Sequence, residues 1–325
     1  MPNKVVVVGS YNTDLTIKTS RIPQPGETIV GGNFSMNAGG KGANQVVAAA
    51  RAGAQAWFVG RVGDDELGHE AIKRLQIEGV NCDFVIRDSN APTGTAFIIV
   101  DEHGENCIVV ASGANMRLSP GDIEAAHSVI ATADVLVLQL ESPLETVEAA
   151  AELAAAHGVR VILNPAPARS LEQTLLRQLA LITPNALEAE MLAGIELVDE
   201  KSMLAAAENL MAKGVAAVLF TLGSRGIFLA DHKQQGHLPA FRVHAVDTTA
   251  AGDIFSGALS AFLQPSRSLQ QAAALASAAA ALSVTKIGAL NSAPHLHEIE
   301  TFIKQNHHPV FSRSSQVQGG TTCIT

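Results

Sequence analysis

Four consecutive valines, Val5 to Val8, run into Gly9 and form the first unbroken apolar stretch of the chain. A run that is apolar at every position, rather than at every second one, predicts a strand covered on both faces, as in a parallel sheet. The same signature recurs at Asp134 to Leu140 (DVLVLQL), Val159 to Pro165 (VRVILNP), Leu179 to Asn185 (LALITPN) and Ala216 to Gly223 (AAVLFTLG). Between these runs the apolar spacing turns helical, in GANQVVAAARAG, SPLETVEAAAELAAAHG and KSMLAAAENLMAKG. The second of these predicts a helix capped by Ser142 and finished before Gly158. Strand and helix alternate, so the pattern predicts the α/β class, with a doubly wound, mostly parallel sheet.

Two segments break the alternation. Leu15 to Met36 and Thr93 to Ser112 each read as a pair of short strands about a turn containing Gly or Pro. Together they predict a small antiparallel β lid, formed from about residues 15–36 and 93–112. Ala96 to Val100 is apolar throughout, which predicts cover on both lid faces, one from a ligand and one from a second subunit. The last third is alanine-rich and helical through QQAAALASAAAALSVTKIG and HLHEIETFIKQ. From Ser312 onward the periodicity is lost. The organisation expected is one domain over residues 1–308 and a flexible tail over 309–325.

Composition narrows the class. Of 325 residues, 47% are hydrophobic and 16% charged, which supplies a well-buried core and argues against disorder. The formal net charge of -9 offers no basic field, so nucleic acid and membrane are poor partners. Cys82, Cys107 and Cys323 lack C-x-x-C spacing and read as reduced thiols, and the N-terminus lacks a secretory apolar stretch. Both point to the cytoplasm.

Candidate chemistry sits in three places. GSYNTD follows the first strand without the three-glycine spacing of a dinucleotide site, leaving Asn12 and Asp14 where open α/β sheets bind ligands; an Asx turn is the plainer reading. NAGGKGANQ suggests a P-loop but fails twice, with Ser35 in place of the first Gly and Gly42 in place of Ser or Thr. Its glycines let a ligand approach the main chain, with Asn44 adding a polar contact, or they make a flexible hinge. In DTTAAGDIFSG, the small residues Ala250, Ala251 and Gly252 open their amides as an anion nest at a helix start. Asp253, in the same turn, is the candidate general base, held ionised by donors and helix dipole.

Taken together, NAGGKGANQ and DTTAAGDIFSG, with GSYNTD, LNPAPA and ITPNALEAE between and around them, resemble the signatures of the PfkB-type carbohydrate kinases over residues 1 to about 308. The resemblance implies ATP-dependent phosphorylation of a sugar's primary hydroxyl. D-ribose giving ribose 5-phosphate is the leading substrate, with deoxyribose, another furanose or a nucleoside as the alternative. It implies Asp253 as base and Ala250, Ala251 and Gly252 as the anion hole for the transferred phosphoryl group. Asn12, Asp14, Gly40, Lys41, Asn44 and Glu141 match sugar-holding positions. Asn185 and Glu188 match the N-x-x-E element that organises Mg2+, Glu188 through water. Thr221, Gly223, Ser224, Gly226, Gly252 and Ser277 match positions around ATP. Asp247, Thr249, Ser283, Lys286, Gly288 and Ser292 match a monovalent cation site, taken to bind K+. A homodimer through the β lid is implied as well. Two residues depart from the pattern: Ser277 replaces an Asn, and Ala250 replaces a Gly, a change tolerated if its φ stays negative. A sugar sensor without catalysis and a dinucleotide oxidoreductase are weaker readings. The first is disfavoured by the intact base, anion hole and N-x-x-E, and the second by the missing fingerprint.

Overall fold

Successive side chains of a strand point to opposite faces, and the first strand uses both. In the computed structural model, which describes residues 2–306 and 312–313, Val5 and Val7 enter one hydrophobic core while Val6 and Val8 enter another. Along the chain the strands are β1 (Lys4–Val8), β2 (Asn12–Lys18), β3 (Asn33–Gly39), β4 (Gln55–Gly63), β5 (Asn81–Asp88), β6 (Thr95–Val100) and β7 (Asn106–Ala111). They continue as β8 (Val135–Leu138), β9 (Arg160–Leu163), β10 (Leu181–Ile182), β11 (Ala217–Thr221), β12 (Ile227–Asp231), β13 (Gln235–Leu238) and β14 (Ser312–Arg313). The helices are α1 (Lys41–Arg51), α2 (Glu66–Ile77), α3 (Pro120–Ala125), α4 (His127–Ile130), α5 (Leu144–Ala156) and α6 (Gln173–Leu176). After these come α7 (Ala186–Ala193), α8 (Glu200–Ala212), α9 (Ala251–Phe262), α10 (Leu269–Ser283) and α11 (Leu296–Gln305).

Ten strands form the main sheet in the order β14-β13-β12-β11-β10-β9-β8-β1-β4-β5. From β11 to β5 the neighbours are parallel, and from β11 to β14 they are antiparallel. Residues of α1, α9 and α10 pack into the core of Val5 and Val7, and residues of α5 and α8 into that of Val6 and Val8. Two such cores, one on each face, are what a doubly wound sheet requires. Helix α9 lies inside the first core, buried from Asp253 through Phe262. Its sequence is apolar or small on every side, so no face demands water. At Gly257 an added Cβ would collide with the carbonyl oxygen of Gln45, so the missing side chain sets how closely α9 and α1 approach.

The lid is a separate four-stranded sheet, β3-β2-β6-β7. Its strands pair antiparallel except β2 with β6, which run parallel. Register assigns its faces, because directly paired residues share one. Asp14, Asn37, Ala96 and Val110 lie on one side; Leu15, Met36, Phe97 and Val109 lie on the other.

Several sequence expectations need correction. Ser142 does not cap α5: Pro143 holds the N-cap position and Ser142 is buried with its Oγ unpartnered, because the helix begins one residue later. The lid begins at Asn12 rather than Leu15, since β2 continues directly out of the site loop. The two lid faces differ in exposure: Ala96, on the Asp14 side, is 5% exposed, and Phe97, on the other side, is 54% exposed. The expected parallel series missed β4 and β5, and the hairpin β12-β13 extends the sheet antiparallel. Residues Ser312 and Arg313, placed in the expected tail, pair with β13. The rest of the expected tail's flexibility lies outside the described residues.

Candidate active site

At the carboxyl ends of five parallel strands, on one edge of the sheet, stand Ser10 and the start of β2, Glu141, Asn164, Asn185 and Thr221. That edge is where open α/β sheets place their ligands. The turn into α1 meets them there. Gly40 has φ 87° and its missing Cβ faces the Asn12 amide nitrogen, where a real Cβ would sit 2.7 Å away, so only glycine serves. With α1 so placed, the Lys41 amide donates to Glu141 Oε2 at 3.0 Å, and the Ser10 hydroxyl donates to the same oxygen at 2.5 Å.

Asp253 enters from the first turn of α9. Asn44 Nδ2 donates to its Oδ2 at 3.0 Å, and Gln45 Nε2 donates to its Oδ1 at 3.0 Å. Burial pushes the Asp253 carboxyl above its usual range, against the opposing effects of Lys41, Asn44 and Gln45. The sequence reading expected donors and dipole to dominate; the structure reverses the sign because the group is almost wholly withdrawn from water. The Lys41 ammonium is held above its ordinary range by Asp253, and further by Glu141 and Glu188, despite its own burial. Asp14 is pushed up to about 6 by burial and by the charge of Glu141. Asn12 is buried, with its Oδ1 accepting from Asn115 Nδ2 at 2.9 Å. The expected sugar residues Asn12, Asp14, Gly40, Lys41, Asn44 and Glu141 therefore surround one crevice with Asp253.

The turn before Asp253 departs from expectation at one residue. Ala250 adopts φ 60°, in the left-handed region, the one non-glycine to do so among the described residues. The Ala251 amide donates to Thr248 O at 3.3 Å, which diverts one of the three nest donors. Gly252 is exposed and Asp253 follows it, in the first turn of α9, where a helix has no acceptors of its own for its amides.

Asn185 and Glu188 form a capping box on α7: Asn185 Oδ1 accepts from the Glu188 amide, and Glu188 Oε2 accepts from the Asn185 amide, both at 2.9 Å. Burial raises the Glu188 carboxyl against that amide donor and Lys41. Thr221 ends β11 beside Asn185, and Gly223, Ser224 and Gly226 make the 3₁₀ turn between β11 and β12. The expected hairpin start there is thus present. Asp247 joins two segments, accepting from the Thr249 amide and from the Gly288 amide, each at 2.9 Å. The hydroxyls of Ser283 and Ser292 bond to local carbonyls of Ala280 and Ala289, and Lys286 pairs with Glu298. Ser277 is half-buried on α10 with Ser283.

Sequence reasoning missed four members of the buried cluster: Ser10, Gln45, Asn115 and Asn164. Gln45 and Asn164 stood inside quoted motifs, but neither has a spacing that marks it. Asn115 lies far along the chain, and no local pattern reveals that it would return to Tyr11 and Asn12.

The fold is an open α/β sheet joined to a β lid, and strand β2 of that lid starts within the buried cluster at Asn12. The protein's class follows from comparison with known sequences: residues 2–296 match the pfkB family of carbohydrate kinases, and the chain belongs to that family. It is 42% identical over 304 residues to a ribokinase of Haemophilus influenzae, covering 94% of this chain and 99% of that one. It is 37% identical over 303 residues to a deoxyribokinase of Salmonella typhi, covering 93% and 99%. The solved structure of Arabidopsis thaliana ribokinase complexed with ribose and ATP superposes with a TM-score of 0.88 at 32% identity, covering 94% and 99%.

Proposed function

We propose that this protein is an ATP-dependent sugar kinase that phosphorylates the primary 5-hydroxyl of D-ribose to give ribose 5-phosphate. The observation that carries this reading is the buried Asp253 carboxylate at the mouth of α9, held by Asn44 and facing Lys41 and Glu141. Asp253 takes the proton of the sugar hydroxyl, the freed oxygen attacks the γ-phosphorus, and the bond to the β-phosphate oxygen breaks with ADP leaving. The burial-raised proton affinity of Asp253 suits an acceptor that must remove a proton from an alcohol. Gly252 and the first turn of α9 stabilise charge on the moving phosphoryl group, with Ala250 shaping the turn and Ala251 contributing less because of Thr248. Asn12, Asp14, Gly40, Lys41, Asn44 and Glu141 receive the sugar, and Thr221, Gly223, Ser224, Gly226 and Ser277 the nucleotide.

Among the described residues no three His, Cys, Asp or Glu side chains converge as a metal group. Mg2+ would therefore be held chiefly by ATP phosphates and water, with Asn185 and Glu188 orienting that water. Asp247, bridging Thr249 and Gly288, supplies the anionic oxygen that fits a K+ ring completed by residues around Ser283, Lys286 and Ser292. These ions, a cytoplasmic location and a homodimer through the lid are part of the proposal. For the dimer the support is the lid face opposite Asp14, where Phe34, Phe97 and Val109 are 61%, 54% and 64% exposed.

Deoxyribose is a second reading, favoured by the 37% identity to a deoxyribokinase. The test is turnover of ribose, deoxyribose and other pentoses by wild type and Asp253→Asn. The variant is expected to lose about 10² to 10⁴ in kcat while still binding sugar. Near-normal turnover by Asp253→Asn overturns the assignment of the base.

A further inference from the structure

Beside Asp253 lies a chain of buried amides that the reaction as described does not use. Gln45 Nε2 donates both to Asp253 Oδ1 at 3.0 Å and to Asn164 Oδ1 at 3.1 Å. Gln45 Oε1 accepts from Gln139 Nε2 at 2.7 Å. Asn164 Nδ2 donates to the backbone oxygen of Thr183 at 3.2 Å. Gln45 and Gln139 are wholly buried, and Asn164 is 6% exposed.

The polarity of this chain is decided at one end. An amide side chain can be turned over, exchanging donor for acceptor, unless its partners forbid it. The Thr183 carbonyl can only accept, so the Asn164 NH2 must face it and the Asn164 oxygen must face Gln45. Gln45 then presents its NH2 to that oxygen and to Asp253, and its own oxygen to Gln139. Each amide fixes the next, from a backbone atom to the carboxylate. Turned over, Gln45 would set its oxygen against both the Asn164 oxygen and the Asp253 carboxylate. The architecture protects the arrangement: a Cβ at Gly9 would strike Gln139 Oε1, and Gly257 admits Gln45 against α9.

We propose that Gln45 is a positioning residue for phosphoryl transfer, and that the Thr183–Asn164–Gln45 relay, braced by Gln139, locks one oxygen of Asp253 so that the other faces the sugar hydroxyl. The inference rests on the reading of Asp253 as the base. Oδ1 is committed to a donor whose direction cannot reverse, and Oδ2, shared with Asn44, is the oxygen left to meet the sugar hydroxyl in this proposal. The relay also supplies a donor to the ionised carboxylate, opposing the burial that raises its proton affinity.

The test compares pH profiles of kcat for wild type, Gln45→Met, Gln139→Met and Asp253→Asn, with thermal midpoints measured alongside. A hydrogen bond to a charged group is worth about 10-fold to 100-fold, so Gln45→Met is expected to lose about that much kcat. Its acid limb should move up by about one to two pH units, because the carboxylate without its donor holds its proton more tightly. Its KM for sugar should change less than about 3-fold, since Gln45 does not face the ligand. Gln139→Met, which removes a brace that touches Gln45 and not Asp253, should shift the limb in the same direction by less. That second variant keeps the question open to experiment if Gln45→Met does not fold. An altered thermal midpoint with the wild-type acid limb in the folded variants overturns the relay and leaves a packing role. If Asp253→Asn stays active, the base assignment itself fails, and the positioning role falls with it.

Discussion

Asp14 is a half-buried carboxyl that would link stability to the proposed sugar binding. Its pKa is raised to about 6 by burial and by Glu141. The folded state therefore holds this proton more tightly than the unfolded chain, so the linked stability is greatest at low pH and declines as pH rises from about 4 to about 6. Asp14→Asn should accordingly stabilise the protein at pH 8, by at most about 3 kcal/mol, read as a higher thermal midpoint. The same substitution should raise KM for sugar, and in the wild type KM should rise as pH falls through about 6, where the carboxylate acceptor is lost. A wild-type KM that is flat between pH 5 and pH 8 excludes Asp14 as a sugar acceptor. Ala250 offers a second check. An alanine in the left-handed region costs about 1–2 kcal/mol, and a β-branched residue more. Ala250→Val should lower both stability and kcat, while Ala250→Gly should keep kcat and leave the thermal midpoint equal or higher. At this scale the clustering of Asp253 with the proposed sugar residues could be anticipated, because most of them sit in dense, unusual motifs. The sign of the Asp253 shift and the φ of Ala250 were not, since both depend on surroundings assembled from distant segments.

Helices α1 and α9 carry Asp253, the proposed base, and its donors Asn44 and Gln45, so their separation matters more than either helix alone. Gly257→Ala would force the Gln45 carbonyl and the Ala48 side chain away from α9. Such overpacking is expected to cost about 1–3 kcal/mol, and kcat should fall beyond what the loss of folded protein explains. Urea unfolding beside activity per folded molecule separates the two effects. Unbroken apolar runs revealed β1, β8, β9, β10 and β11, and helical spacing revealed α1, α5 and α8. Strand β4 escaped because Gln55, Gly60, Arg61 and Gly63 interrupt its apolar pattern, although it is a long interior strand. The α5 cap was misread because Ser142 looks like a cap in sequence, while the intervening Pro143 takes that position.

The molecule as a whole joins a rigid two-core body to a thin lid. Register gives the two lid faces different chemistry: Asp14 and Asn37 look one way, and Phe97 and Val109 the other. Glutamate at both Phe97 and Val109 should convert the proposed homodimer to monomers in sedimentation velocity, whereas unchanged mass would place any dimer elsewhere. Ribose should slow proteolysis in the Arg21 to Gly26 turn, which Glu27 holds through an ion pair with Arg21; identical cleavage with and without sugar would count against closure. The lid's existence was visible as an interruption of the strand and helix rhythm, but its continuity with the crevice was not. That continuity is physical: β2 starts at buried Asn12, which Asn115 fastens to the body, and the same strand runs out through Asp14 to exposed Lys18. Under the proposed function, a carbohydrate held by Asn12 and Asp14 would grasp the stem of its own cover. Recognition and enclosure become one mechanical coordinate, and any change that loosens that stem should blur selectivity and water exclusion together.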